Sequence, residues 1–152
     1  MMRKESCNMI YIKNFKTLGP LSQYDEVWAV VRSAKNLNPG IKQVADLSPS
    51  TKLFHEYLNL RNNGNWNQKT FTEIYLPTFL HELKENSAVV NPLLNYLYNA
   101  DKKNKKIALV CFCDNENTCH RSIIAGLLQG VGSNVSCSTD YSAYYEQYKS
   151  IA

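Results

Sequence analysis

No apolar run in the 152 residues approaches the ~20 that a membrane-spanning helix needs, so no membrane partner is expected. Nor is there a block of five or six like charges. The densest basic patch, "DKKNKK" at 101–106, reads as a solvated turn before a strand. A net charge of +4 with a pI near 8.7 is a mild bias. Charge by itself therefore does not indicate a nucleic-acid binder, although nucleic acid stays open as a partner. The first residues, "MMRKESCNMIYI", lack the long apolar core and small-residue cleavage site of a secretory leader, which gives a cytoplasmic expectation. Repeats, low-complexity tracts and domain-dividing linkers are also missing, so one domain over 1–152 is expected. Cysteine is present but ill suited to bridging. The five are an odd number, three of them crowded together, and reduced thiols follow.

What is present is enough for a core, with 44% of residues apolar. Period and punctuation predict strands at 9–15, 27–32 and 106–112, and a short one at 133–137. Helices are predicted at 47–64, 67–86, 87–100, 119–132 and 138–152. In the first, Ser48 can cap, Pro49 suits the first helical position and Gly64 can end it left-handed. Pro77 lies inside the second and predicts a kink or break near Leu76. The third starts at either Ser87 or Asn91, since Asn91-Pro92 is also a good cap pair. In the fourth, Ser122, Gly126 and Gly130 fall four apart, a small-residue line that admits a close neighbour. The last carries Tyr141, Tyr144, Tyr145 and Tyr148 on one stripe. Such a stripe can stack bases, but edge-helix packing is the expected role. Alternating strands and helices indicate an α/β fold: a single three-layer domain with a mainly parallel sheet and helices on both faces. In such sheets ligands gather where strands end and helices begin.

One junction of that kind is "CFCDNENTCHRS" at 111–122. It admits four readings. Cys111, Cys113, Cys119 and His120 supply a zinc-type donor set, but one residue between the first pair, and adjacency of the second, argue against it. On a helix, neighbours diverge by ~100°, so neither a metal nor any other cofactor is expected. A reactive thiol is the second reading, with Cys119 in a helical first turn beside His120 and Arg121. The phosphatase pattern Cys-x5-Arg fails, because position 115 is Asn115. The third is an anion pocket at the helix N-terminus. Asn115, Asn117, Thr118 and Ser122 would donate, Arg121 would hold the anion, and His120 would move protons near neutral pH. The fourth is plain packing, for which Cys111 at a strand end is well suited. The anion pocket accounts for the most residues.

"ALVCFCDNENTCHRSIIAGLL" resembles the signature of the domain-of-unknown-function family 488. That signature is an apolar strand ending in Cys, a polar loop, then Cys-His-Arg-Ser and an apolar helix. Cys111 fits the first cysteine, and Cys119, His120, Arg121 and Ser122 fit the block. "VWAVVRSAKNLNPGIKQVADLSPSTKLFHEY" is similar to the family's earlier segment, placing Arg32, Pro49 and Ser50 on matching positions, and "FTEIYLPTFLHEL" is similar to its middle helix, where Tyr75 matches. The resemblance implies a small α/β protein without an established activity. One branch keeps the histidine without the neighbouring cysteine and arginine, which implies His120 for shared chemistry and Cys119 and Arg121 for subfamily detail. Pro77 departs from the pattern, and Cys113 has no family role.

The expectation is thus a pocket for a phosphate- or carboxylate-bearing ligand, a nucleotide or nucleic-acid end. Arg32 and Arg121 hold the anion, His120 is the acid–base group, Cys119 is a thiol nucleophile or polarisable neighbour, and Tyr75 and Cys111 are weaker candidates. Whether the ligand is turned over stays open. The alternatives are a non-catalytic nucleotide- or partner-binding module, and a thiol redox or zinc module.

Overall fold

The run "IALVC" forms β4 (Ile107–Cys111), in which no residue is exposed. Side chains alternate across a strand, so burial of all five means that both faces of the sheet are covered at its centre. A computed structural model describes residues 8–151. Residues 1–7, at the start of the stretch without a leader pattern, and Ala152 lie outside the described residues. β4 pairs in parallel with β1 (Ile10–Asn14) on one side and β2 (Glu26–Ala29) on the other. Beyond these lie β5 (Val135–Ser136) and β3 (Ile41–Gln43), giving the all-parallel order β3-β2-β4-β1-β5. The α/β class and parallel sheet match the sequence expectation. β3 does not appear in it, because three residues with two exposed carry no apolar period.

Ser50, not Ser48, caps α1 (Thr51–Asn62), its side chain accepting from the Leu53 N–H at 3.1 Å. Ser48 instead closes a 3₁₀ turn at Ala45–Leu47 by donating to the Ala45 carbonyl, and Pro49 lies just outside the cap. Past the helix, Gly64 takes φ +72°, the left-handed conformation its lack of a Cβ permits.

The break expected at Pro77 is absorbed. After α2 (Gln68–Thr70) the chain makes a π-helical turn at Phe71–Tyr75 and continues as α3 (Leu76–Glu85). Leu76 N–H donates to the Phe71 carbonyl, five residues back, and this wider turn accommodates a residue with no N–H of its own. It also turns Phe71 and Tyr75 inward as a stacked pair 5.5 Å apart. α4 (Ser87–Lys102) starts at Ser87 and runs through Pro92.

α5 (His120–Gly130) is buried from His120 to Leu128. It packs on β1, β4 and β5, and α6 (Ala143–Lys149) packs on it. The small-residue line makes that close approach possible: a Cβ on Gly126 would stand 2.3 Å from the carbonyl oxygen of Tyr141, just before α6, and one on Gly130 2.3 Å from Tyr145 Cβ. Tyr141 and Tyr148 are buried, so the tyrosines pack as expected, but the helix is shorter than 138–152 and Tyr141 precedes it instead of sharing its stripe. Among the described residues no helix is long and apolar enough to cross a membrane.

Candidate functional site

β4 delivers Cys111 to the carboxyl end of the sheet and then reverses. Phe112 turns outward, 61% exposed, with its ring 4.7 Å from Phe15. The loop tightens into a 3₁₀ turn at Glu116–Thr118, capped by Asn115, whose side chain accepts from the Asn117 N–H. Cys119 follows in an extended conformation (φ −121°, ψ 146°) as the cap residue of α5. The ~100° divergence between helical neighbours therefore does not arise, since Cys119 is not yet helical while His120 is. Sulfur and ring meet, with Cys119 Sγ 3.7 Å from His120 Nδ1.

The result is a compact cluster. The Sγ atoms of Cys111, Cys113 and Cys119 and a ring nitrogen of His120 all lie within 4.8 Å of one another. Cys111 and Cys119 are 1% exposed, and their sulfurs stand 3.0 Å apart as free thiols. His120 Nε2 lies 2.6 Å from the Val30 carbonyl, just past β2. A carbonyl only accepts, so Nε2 carries a proton, and Nδ1 is the ring nitrogen turned toward the sulfurs. Phe79 of α3 meets the ring edge-on at 5.8 Å and fixes its plane.

The three neighbouring thiols shift one another in opposite directions. Hydrogen bonds from Cys113 and Cys119 hold the Cys111 thiol far below its ordinary range, and the charges at His120 and Arg121 add to the effect. The counterpart is that Cys113 is pushed up to about 12, chiefly by its bond to Cys111. Burial, then Cys111 and Cys113, raise Cys119 well above its usual value. Burial works against the Arg121 charge, but the three sulfurs outweigh it.

Above the cluster lies a cavity of about 290 Å³ at the carboxyl ends of β2 and β4. Of the residues expected at the site, Arg32, Tyr75, Cys111, Thr118 and His120 line it. Cys119 sits behind them. Arg121 does not face the cavity: 4% exposed, it donates through Nη1 to Cys111 Sγ at 3.2 Å and to the Cys113 carbonyl at 2.8 Å. Ser122 is buried and donates to the Cys119 carbonyl, and Asn117 accepts from the Tyr141 hydroxyl, so these two and Asn115 hold the loop together. Arg32 is anchored by the Pro49 and Ala45 carbonyls through Nε and Nη2, which leaves Nη1 without a partner among the described residues.

The aromatic wall escaped the sequence reading. Phe54, Tyr57 and Phe112 line the cavity with Pro49 and Val31, and Ser33, Thr51 and His55 are at hand. Phe54 and Tyr57 fall three apart on α1, a spacing that any helix packed on a core shows. The signal that sets them apart is exposure, since Phe54 is 45% exposed beside a cavity. Cys113, left without a role in the sequence, completes the sulfur cluster. Among the described residues, no Asp or Glu lines the cavity. The two acids of the loop are engaged elsewhere, Asp114 with Lys16 at 3.3 Å and Glu116 with Ser138 and Tyr141.

A family model described as the active DUF488-N3 subclade matches residues 13–132. No curated protein and no solved structure matches the chain.

Proposed function

The chain belongs to the DUF488 family, and on that premise we propose that its cavity binds, and its sulfur–imidazole floor acts on, a ligand with a planar aromatic body and a phosphate or carboxylate. A nucleotide or a nucleic-acid end is of that class. One observation carries the reading: a cavity with an aromatic wall, a guanidinium at its rim and no carboxylate in its lining. A carboxylate there would repel an anion, and an aromatic face takes a base edge-on or stacked. The anion meets Nη1 of Arg32, with the Ser33 and Thr51 hydroxyls beside it. The planar part lies against Phe54 and Phe112, whose exposed rings are otherwise an unfavourable use of apolar surface.

The chemistry belongs to the floor. Cys111 both faces the cavity and carries the depressed thiol, so it takes the reactive role that the sequence assigned to Cys119. Nδ1 of His120 accepts a thiol proton, and Arg121 steadies the resulting charge from behind. The family model's description as an active subclade supports turnover over binding alone. Thiolate chemistry needs a reducing setting, which agrees with a cytoplasmic location.

The test is a thermal-shift and calorimetry screen with nucleotides, phosphorylated metabolites and short oligonucleotides. The best ligand should lose roughly tenfold to hundredfold affinity in Arg32→Ala, the range for a charged hydrogen bond. His120→Ala should keep affinity but lose turnover. A screen without a hit, or a hit indifferent to Arg32, overturns the proposal.

A further inference from the structure

The same cluster has a property that ligand binding in the cavity does not require. Three sulfurs and one imidazole nitrogen within 4.8 Å of one another are a complete donor set for a soft divalent cation. We infer that Cys111, Cys113, Cys119 and His120 hold one zinc ion in a tetrahedral Cys₃His site at the floor of the cavity.

Four features support the assignment. Zinc–sulfur bonds of about 2.3 Å and zinc–nitrogen bonds of about 2.0 Å place tetrahedral ligand atoms about 3.5–3.8 Å apart. Cys119 Sγ and His120 Nδ1 stand at 3.7 Å already, and the 3.0 Å between Cys111 and Cys119 needs to open by less than an ångström. The imidazole is oriented as a ligand: Nε2–H is spent on the Val30 carbonyl, so Nδ1 faces the sulfurs with its lone pair. Metal-binding histidines are commonly fixed by such a bond through the other nitrogen. The third feature is charge. On binding, the sulfurs give up whatever protons they hold, and three thiolates with Zn²⁺ and a neutral imidazole carry −1. Arg121 supplies +1 from within hydrogen-bonding distance of Cys111. Its Nε is buried without a partner, a cost that three thiolates offset better than a single one. Finally, the ligands come from a strand end, a turn and a helix cap, elements fixed by the core, so little conformational entropy is lost on binding.

The inference stands whether or not the cavity takes an anion, but it replaces the free-thiol role of Cys111 and the proton-accepting role of His120, since zinc would hold both atoms, and its test is separate. Protein purified from zinc-supplemented medium without chelators should contain about one zinc per chain by elemental mass spectrometry. Cobalt(II) added to the stripped protein should give the intense visible bands of a tetrahedral site and a sulfur-to-metal charge-transfer band in the near ultraviolet. Cys113→Ser should lower zinc affinity by more than the 10–100-fold typical of lost outer-sphere partners, whereas Cys137→Ser, outside the cluster, should leave it unchanged. Thiol alkylation should be slow in the loaded protein and fast once a chelator has removed the metal. Zinc well below stoichiometric with no tetrahedral cobalt spectrum in the wild-type chain overturns the inference, even if Cys113→Ser misfolds. A ligand hit in the earlier screen without these signatures would spare the anion pocket and remove the metal.

Discussion

The two ends of the central strands handle buried polarity in opposite ways. At the amino ends of β2 and β4, Glu26 accepts from Trp28 at 2.8 Å and from the Tyr96 hydroxyl, and pairs with Lys105 at 2.6 Å. Trp28 stacks on Tyr96, and the charges meet near solvent with every group engaged. At the carboxyl ends, a guanidinium, an imidazole and two thiols are buried together, with a third thiol half-buried beside them and no carboxylate among them. The first arrangement is a finished surface clasp. The second keeps a buried cation whose counter-charge exists only if the sulfurs lose protons. Folding alone gains little from such a cluster, and an apolar plug of the same volume would serve packing as well. That contrast is the physical reason to place function at one end and not the other.

The comparison breaks most visibly at Arg121. Arg121→Met keeps the stem but strips the charge from Cys111 and the donor from the Cys113 carbonyl. A loss of about 3 kcal/mol is expected, the scale for breaking a buried charged contact, read as a lower denaturation midpoint. A variant as stable as the wild type would show the cluster to be neutral packing. Next comes the support of the cluster's helix by α6. Gly126→Ala drives a methyl into the Tyr141 carbonyl, a rigid backbone atom, and should cost about 1–3 kcal/mol as overpacking, with faster thiol alkylation as α6 loosens. Unchanged stability would mean that α6 yields freely.

The smallest effect is expected at the clasp. Burial raises the Glu26 carboxyl, but bonds from Lys105, Tyr96 and Trp28 outweigh it and hold the group at about 2, against an ordinary 4.5. A depressed acid stabilises the fold above its unfolded value and loses that contribution as pH falls through the folded one. Glu26→Gln should therefore be less stable than the wild type above pH 4.5, by under about 1 kcal/mol for so exposed a pair. The gap should close between about pH 4.5 and 2. A gap that persisted at pH 2 would assign the effect to shape rather than charge.

Much of this was legible in one dimension, for identifiable reasons. "IALVC" could be read as a strand because no polar residue interrupts it, and Ser122, Gly126 and Gly130 marked a close helix contact because their spacing is helical. Ser50 was mistaken for a residue inside α1, because a 3₁₀ turn preceding a helix presents the same run of small polar residues. Pro77 announced a disturbance, but not that a π-turn would absorb it, since that choice depends on burying Phe71 and Tyr75 together.

The sequence by itself determined the class of fold, the strand–loop–helix junction and the dense set of sulfur, imidazole and guanidinium groups there. These depend on local period and residue type, which the chain carries in order. Only the tertiary structure decided which groups face one another. Arg121 turned inward to the sulfurs while Arg32 stayed at the rim, and Cys113 joined the cluster. Phe54 and Tyr57, more than fifty residues from the loop, became walls of the same cavity. Such meetings follow from how the carboxyl ends of β2 and β4 are brought up to α1, a consequence of long-range packing that no local pattern encodes.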